Sequence, residues 1–350
     1  MSLAINTTTP EGMVLAADSR QSYRNRKGMA RIGSDNASKL FQLNKRIGVA
    51  ITGLAFLPEG GVLKNISKFV EQFKRETDTE KLDVKEVAEK LHYLFDKKYN
   101  WRERLEKLPD QIKADLQRQG CEILEIKPEQ FVVKFKFKDP KGTIRDGLAG
   151  VDTISLLVAG FNKDGSYEVY IGYIPGEIQK KRDSRERGKE YGASWIGQID
   201  VVSRIVLGFD GRIGSLRFVQ ESAQKYGQKE VNKQLRSLEY AIQWGTMTLQ
   251  DAIDFCVLMI QTTSAIQRFS DGIVADPGDM PGVGGPVDVA VITPDKGFVW
   301  INKKKLKVGD TEIEKEQSII EERAYRDKCR VIDSVYRYNS GYMGYIVGYR

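Results

Sequence analysis

The chain has 350 residues, of which 41% are hydrophobic and 29% charged, a balance typical of a globular protein with one large domain or two ordinary ones. Its net charge of +7 is modest for this length, and the basic run at 179–190 also contains acidic residues, which favours a solvated loop over a nucleic-acid interface. No stretch approaches about 18 continuous apolar residues, and the first residues lack the pattern of a secretory signal, so the sequence predicts a cytoplasmic protein without a nucleic-acid or membrane partner.

The N-terminal part of the chain predicts a β-hairpin followed by helices. Residues 2–9 and 13–18 have strand character and flank the turn sequence TPEG, in which the positions of proline and glycine suit a tight turn. The segment 46–55, rich in Val and Ile, predicts a further strand or strand pair. Two helices follow, one over 59–75 and one that begins after Asp83. A charged helix then continues from Trp101, with a break expected at Pro109.

The remainder of the chain is richer in strands. The alternating segment 131–138, FVVKFKFK, predicts a half-exposed strand, and DTISLLVAGFN and SYEVYIGYI predict a hairpin across NKDG. WIGQIDVVSRIVLG opens a helical stretch, and the most apolar helix, 246–269, has Thr248 as its N-cap and Asp251 three residues further on. GPVDVAVITPDKGFVWI predicts a last hairpin. Strands at both ends and helices in two blocks predict one α+β domain of stacked layers.

Histidine and cysteine restrict the chemistry that is available. The single histidine, His92, has the spacing of a structural residue in a helix, so a Ser–His or Cys–His nucleophile and a histidine-rich zinc site are disfavoured. The cysteines, Cys121, Cys256 and Cys329, are too widely spaced for a metal site or a disulfide framework and are interpreted as buried free thiols. The sequence therefore predicts no metal and no cofactor.

Three consecutive threonines, Thr7 to Thr9, lie near the N-terminus and raise the question of a terminal nucleophile. Paired residues in an antiparallel hairpin have a nearly constant sum of residue numbers, and a turn at residues 10–11 makes that sum about 20–22. The threonines then face residues 12–15, whereas Asp18 faces residues 2–4. The register therefore favours Ser2 as the hydroxyl that lies near a carboxylate.

A serine hydroxyl is a weak nucleophile and requires a base. Removal of Met1, which a small second residue favours, would give Ser2 a free α-amine with an unperturbed pKa near 8, suited to accept a proton near neutral pH. Lys39, in ASKLFQL, is the candidate cation that would lower the pKa of the hydroxyl. The alternatives are that Ser2 is an ordinary second residue or that MSL is a remnant of an expression vector.

These residues resemble those of the proteasome β-subunit family, within the N-terminal nucleophile hydrolases, and indicate a divergent bacterial- or archaeal-type member. Asp18 follows Ser2 by sixteen residues, KLFQL supplies Lys39, and ITGLA supplies Gly53 at the position where the family's glycine amide stabilises the oxyanion. LLVAGFNKDG and GGPVDVAVIT resemble two further family strands. The resemblance covers about half of the chain.

The resemblance implies a four-layer αββα sandwich, the N-terminal nucleophile hydrolase fold, over residues 1–302. Residues 100–150 would form an insertion in this domain, and residues 303–350 a C-terminal extension. The site would lie at one end of the two sheets, with Ser2, Asp18, Lys39 and Gly53 as catalytic residues.

The sequence departs from the family pattern at the residues that support the amine. Gln198, in GQID (197–200), stands where the family has a serine, Asp279 is one position away from the expected aspartate, and Val283 replaces another serine. Gln198, Asp200 and Asp279 are therefore candidate supporting residues.

Three functions agree with the sequence. The first is an amide hydrolase that acts on peptides or proteins, the second is a non-catalytic scaffold or assembly subunit, and the third is a specialised amidase or peptide ligase that uses the same site. The combination of Ser2, Asp18 and Lys39 favours activity, although a Lys–Asp pair at a sheet end can be a plain salt bridge. A homo-oligomer is expected, and an ATPase partner is left open.

Overall fold

Two five-stranded antiparallel sheets form the centre of the fold in the computed structural model, which describes residues 2–24, 29–274, 276–277, 280–308 and 311–313. The chain divides into two compact units, Met1–Lys303 and Lys304–Arg350. The first unit contains both sheets and the helices. In the second unit, the described residues form one short antiparallel strand pair, in which Leu306 lies opposite Ile313.

The helices and strands of the described residues are numbered in chain order. The helices are α1 (Ile66–Glu76), α2 (Val84–Lys98), α3 (Trp101–Arg118), α4 (Asp200–Leu207), α5 (Arg217–Tyr226), α6 (Gln228–Leu235) and α7 (Leu249–Phe269). The strands are β1 (Leu3–Thr9), β2 (Gly12–Ala17), β3 (Gln21–Arg24), β4 (Ala30–Ser34), β5 (Leu40–Gln42), β6 (Ile47–Gly53), β7 (Phe56–Glu59), β8 (Val62–Asn65), β9 (Glu122–Pro128), β10 (Val132–Lys138), β11 (Ile144–Gly150), β12 (Ile154–Phe161), β13 (Tyr167–Ile174), β14 (Ile178–Asp183), β15 (Gly192–Gly197), β16 (Gly272–Ile273), β17 (Asp276–Pro277), β18 (Asp288–Thr293), β19 (Gly297–Asn302), β20 (Leu306–Val308) and β21 (Thr311–Ile313).

The two large sheets pack face to face and each carries helices on its outer face. The first sheet has the strand order β15-β1-β2-β18-β19, and the second has the order β14-β13-β12-β6-β5. Because side chains alternate between the faces of a strand, Ala4 and Leu157 lie in the apolar core between the sheets, whereas Ile5 packs under α4 and α7 and Ile154 packs under α1 and α2. The fold is therefore α+β, with four layers in the order αββα.

The first predicted helix begins later than the sequence pattern indicated. Residues 59–65 belong to the hairpin of β7 and β8, in which Gly60 and Gly61 form the turn with φ angles of 61° and 80°. The side chain of Asn65 then accepts a hydrogen bond from the amide of Ser67 and caps α1. The prediction of a helix from residue 59 is therefore wrong, because the two glycines favour a turn that the apolar periodicity does not show.

The capping signals of two other helices are confirmed. Asp83 and Glu86 form a capping box at the start of α2, and Thr248 and Asp251 form one at the start of α7. In each box the side chain at the N-cap and the side chain three residues later satisfy amides that have no partner within the helix.

Helix α3 is continuous through Pro109, so the expected break is absent. Proline removes one backbone hydrogen bond within a helix. However, Ile112 and Leu116, on the far side of the proline, are buried against Val133 of β10. Tertiary packing on both sides of the proline therefore compensates for the lost hydrogen bond.

Residues 101–150 form a substructure outside the two large sheets. Helix α3 packs on the three-stranded antiparallel sheet β11-β10-β9, and the two share a small apolar core. Along β10, Val133 is fully buried whereas Lys134, Lys136 and Lys138 are exposed. The alternation in FVVKFKFK therefore reflects one face on α3 and one face in solvent, as predicted.

Candidate active site

Ser2 lies directly before β1, at one end of the sandwich, and is 5% exposed. The observed pairs of β1 and β2 have residue numbers that add up to 21, such as Ala4 with Ala17, within the range that the turn predicts. Ser2 is also held from the other side, because its carbonyl accepts a hydrogen bond from the amide of Gln198 at 2.6 Å. Strand alternation places Ser2 on the same face as Ala4, toward the space between the sheets.

The carboxylate of Asp18 accepts hydrogen bonds from four places in the chain beside Ser2. It is fully buried, and its Oδ1 accepts hydrogen bonds from the amide of Leu3 at 3.0 Å and from Nζ of Lys39 at 2.7 Å. Its Oδ2 accepts from the amides of Arg20 and Gly284, each at 3.0 Å. The negative charge is therefore satisfied by one cation and three backbone dipoles, as a buried carboxylate requires.

Lys39 lies in the same buried cluster and is 7% exposed. Besides its ion pair with Asp18, its Nζ donates to the carbonyl of Arg20 at 2.5 Å. Lys39 also lines a cavity of about 30 Å³ together with Ser2 and Gly53. The structure therefore brings Ser2, Asp18, Lys39 and Gly53 to one end of the two sheets.

Two glycines position the strands around Ser2. Gly53 ends β6 with φ +98°, and a Cβ atom there would come within 1.9 Å of the carbonyl oxygen of Thr153. Gly197 ends β15 with φ +94°, and a Cβ atom there would come within 2.0 Å of the carbonyl oxygen of Ser2. Neither position accepts another residue without displacement of a strand.

A second, larger cavity of about 760 Å³ is also lined by Ser2. It shares Ser2, Thr52 and Gly53 with the small cavity, so Ser2 lies where the two cavities meet. Its volume lies in the usual range of small-molecule sites, about 300–1,000 Å³. An acyl group held in it would be adjacent to the Ser2 hydroxyl.

The candidate supporting residues fall in different places. Gln198 lines the large cavity, and its Oε1 accepts from Nε2 of Gln267 at 2.8 Å. Asp200 is the first residue of α4 and is not among the residues that line either cavity beside Ser2. Asp279 lies outside the described residues, so its proposed role is not assessed by the structure. Val283 is fully buried in the core under α7.

Sequence reasoning missed four residues that shape the site: Arg20, Gly197, Gln267 and Gly284. Arg20 forms a bidentate ion pair with Asp35, in which Nε donates to Oδ1 at 2.7 Å and Nη2 donates to Oδ2 at 3.1 Å. This hydrogen bonding lowers the pKa of Asp35. Oε1 of Gln267 accepts from the amides of Gly282 and Val283. These contacts hold the segment that supplies the Gly284 amide. No local sequence pattern predicts them, because they join residues that are far apart along the chain.

The other candidate nucleophiles are occupied elsewhere. Thr7 and Cys256 contact each other at 3.2 Å in the core under α7, and burial raises the pKa of the Cys256 thiol to about 12. Cys121 is partly buried, and Cys329 lies outside the described residues. His92 contacts the carbonyl of Tyr173 at 2.9 Å from its position on α2. Among the described residues, no cysteine or histidine lines either cavity beside Ser2.

Two absences concern only the described part of the chain. No group of three or more His, Cys, Asp or Glu side chains is placed to hold a metal ion there. Among the described helices, none combines the length and the apolar composition that a membrane span requires.

Comparisons with known proteins identify no family for this chain. No protein-family model matches the sequence, and no curated protein matches it either. Among solved structures, a Gly-1 mutant of Anbu from Hyphomicrobium sp. strain MC1 is similar over 99% of this chain and 100% of its own, with 11% sequence identity and a TM-score of 0.41. Because likeness at this level carries no argument, the αββα architecture rests on the sheets and helices themselves.

Proposed function

We propose that this chain is an N-terminal nucleophile amide hydrolase, a proteasome-like peptidase that acts on peptides or proteins. The observation that supports it most is the Asp18 carboxylate, whose Oδ1 binds both the ammonium of Lys39 and the amide of Leu3, next to Ser2. This arrangement places a buried positive charge near a hydroxyl that lies at the junction of two cavities. Removal of Met1 would give that serine its base.

The proposed reaction has two stages. The α-amine of Ser2 accepts the hydroxyl proton while Oγ attacks the substrate carbonyl carbon, and the Gly53 amide hydrogen-bonds to the oxyanion that forms. The amine then returns the proton to the leaving nitrogen, the C–N bond breaks, and an ester on Ser2 remains. A water molecule attacks this ester by the same proton transfers and releases the acid and free Ser2.

Covalent labelling tests Ser2 directly. Untagged wild-type protein should lack Met1 by intact mass, and an epoxyketone or a β-lactone should label Ser2 in peptide mapping. Ser2→Ala should remove the label and leave the melting temperature unchanged, and Thr7→Val serves as a matched control that keeps the label. Equal labelling of Ser2→Ala, or a label on Thr7 to Thr9, would overturn the assignment.

The role of Lys39 is tested by charge and shape. We expect Lys39→Ala to lower the rate of covalent labelling at Ser2 by about 100-fold, since a positioned charge in a water-excluded site commonly contributes this much. Lys39→Arg should recover little, because the planar guanidinium does not fit a site built for a point charge. Rates of label incorporation on folded variants provide the measurement, and near-wild-type labelling of Lys39→Ala would contradict the role.

A non-catalytic scaffold is the second candidate, and one observation favours it. The four donors to Asp18 come from β1, the segment before β3, Lys39 and the segment before β18, so the cluster also ties the sandwich end together. A scaffold requires this hydrogen-bonded cluster around Asp18 but does not require a free α-amine on Ser2. Wild-type protein that retains Met1 and takes no label would support the scaffold.

A further inference from the structure

The large cavity beside Ser2 has a row of three hydroxyl groups on one wall. Ser155 of β12 lies opposite Thr52 of β6 on one side and opposite Tyr173 of β13 on the other. All three residues line the cavity. Because they are register partners in adjacent strands, their side chains lie on one face of the sheet as neighbours.

This row interrupts an otherwise apolar surface. Two residues further along each strand, the corresponding row is Ala50, Leu157 and Ile171, which lies in the core between the two sheets. The hydroxyl row therefore lies on the same inner face, one step toward the open end of the sandwich. At that point the core gives way to the cavity.

Thr52 supplies the observation that points to a ligand. The residue is 3% exposed, and its Oγ1 is buried without a hydrogen-bond partner among the described residues. Buried hydroxyl groups in proteins are nearly always hydrogen-bonded, so such a group calls for a partner that the described residues do not provide. Valine has the same shape and would fill the position without this unsatisfied group.

The neighbouring groups define what such a partner can be. Ser155 is 6% exposed, and burial raises the pKa of the Tyr173 phenol, so the wall is neutral at physiological pH. Hydroxyl groups both donate and accept hydrogen bonds. Trp195 adds an aromatic surface to the same cavity. Among the described residues that line the cavity, one has a charged side chain: Asp152, which is exposed.

We propose that the Thr52–Ser155–Tyr173 row binds an uncharged carboxamide side chain, such as that of glutamine, next to the bond that Ser2 attacks. A carboxamide has an acceptor oxygen and two donor hydrogens, which hydroxyl groups can satisfy together. Its flat face suits the surface of Trp195, and the carboxylate of Asp152 disfavours an acidic side chain. This inference names the substrate class of the proposed hydrolase and rests on that function.

Binding to a variant without the nucleophile tests the proposal. Ser2→Ala protein is titrated by calorimetry with acetyl-Ala-Gln-Ala-amide and with the counterparts that carry norleucine, glutamate or lysine in place of glutamine. We expect the glutamine peptide to bind at least tenfold more tightly than the norleucine and glutamate peptides. It should also bind more tightly than the lysine peptide, because an ammonium group cannot accept a hydrogen bond from the hydroxyl row. No binding of the glutamine peptide at millimolar concentration, or a preference for any counterpart, would overturn the proposal.

A set of isosteric variants locates the binding to the row. In the Ser2→Ala background, Thr52→Val should reduce the affinity for the glutamine peptide about tenfold, in line with the loss of one buried hydrogen bond. The melting temperature should stay the same or rise, since the unsatisfied hydroxyl is removed. Tyr173→Phe should also weaken binding, whereas Thr7→Val, on the opposite face of the first sheet, should not. Unchanged affinity in Thr52→Val would overturn the proposal.

The two hypotheses fail separately. In one outcome, wild-type protein takes no label at Ser2 while Ser2→Ala binds the glutamine peptide selectively. This result would contradict the proposed hydrolase activity and support the carboxamide-binding site. If wild-type protein is labelled and cleaves the norleucine peptide as fast as the glutamine peptide, the result would support the proposed hydrolase activity and contradict the carboxamide-binding site.

Discussion

At the scale of single residues, the site depends on a few groups that are both buried and satisfied. Asp18 is fully buried and Lys39 nearly so, and their ion pair is supported by three backbone amides. Removal of one member of such a pair leaves an uncompensated charge, which commonly destabilises a protein more than replacement of both members does. The contribution of the Asp18–Lys39 ion pair to the free energy of unfolding can therefore be measured separately from catalysis.

A double-mutant cycle tests this dependence. Lys39→Met should lower the free energy of unfolding by about 3 kcal/mol, because the Asp18 carboxylate stays buried without its cation. Asp18→Asn should lower the free energy of unfolding less in the Lys39→Met background than in the wild type. The difference between the two effects, the coupling energy of the pair, should be at least about 1 kcal/mol. Urea denaturation of the four proteins gives this coupling. Strictly additive losses would show that the pair contributes no mutual stabilisation.

Gly197 provides a second test at the residue scale. An alanine there meets two penalties, a positive φ angle of +94° and a Cβ atom 2.0 Å from the Ser2 carbonyl oxygen. Gly165→Ala is the matched control, since Gly165 has φ +83° and no heavy atom within 4 Å of a built Cβ. We expect Gly165→Ala to cost about 1 kcal/mol and Gly197→Ala to cost clearly more. Gly197→Ala should also slow labelling of Ser2, and equal costs would show that the strand end adapts.

At the scale of elements, charged side chains connect the β7–β8 hairpin to α2. Glu59 accepts hydrogen bonds from Lys64 at 2.6 Å and from Lys98 on α2. These contacts, first that with Lys64 and then that with Lys98, lower the pKa of Glu59 from its usual value of 4.5 to about 2. A carboxylate with a lowered pKa in the folded state favours folding while it is ionised.

The sign of this effect gives a pH prediction. The contribution of Glu59 is fully present above pH 4.5 and is lost as the pH falls toward 2. Glu59→Gln should therefore be less stable than wild type at pH 7, and the two should converge near pH 2. Melting temperatures between pH 7 and pH 2 provide the measurement, and Lys64→Met should reproduce part of the effect. A constant difference across this range would contradict the assignment.

At the scale of the whole molecule, the distribution of exposed apolar residues bears on assembly. The segment 62–73 and the helix that follows it have more apolar residues than one face of a helix requires, and of these Phe69, Phe73 and Leu91 are buried against the second sheet. Val62 and Leu63 of β8 remain 57% and 71% exposed, and a second group of exposed apolar side chains follows one stripe of α7, where Leu258, Ile266 and Phe269 are 56%, 49% and 75% exposed. Residues spaced by 8 and 11 positions share one face of a helix.

We therefore keep the prediction of a homo-oligomer and assign it to this stripe. Multi-angle light scattering of the full chain at micromolar concentration should give a mass well above 39.6 kDa. Leu258→Glu with Ile266→Glu should lower that mass, because charges are depleted from the buried centre of interfaces. Gln117→Glu on α3 serves as the control. A mass near 40 kDa at every concentration would refute assembly.

The sequence by itself determined the features that depend on neighbours along the chain. The turn between β1 and β2 fixed the register, and the register placed Asp18 beside the start of β1. The start of α2 after Asp83, the capping box of α7 and the alternation along β10 were also visible, because each depends on residues a few positions apart. The αββα order followed from the resemblance of Ser2, Asp18, Lys39 and Gly53 to a known family rather than from these patterns.

Only the tertiary structure decided how distant segments meet at the site. The amide of Gly284 reaches Asp18 across 266 residues, and Gln267 holds the segment before it. Packing of α3 on β10 keeps the helix continuous through Pro109, which its local sequence does not predict. The unsatisfied hydroxyl of Thr52 could not be foreseen either, because burial and the absence of a partner arise only when the two sheets close over it. Such features depend on contacts between remote residues, and local propensity and periodicity contain no information on them.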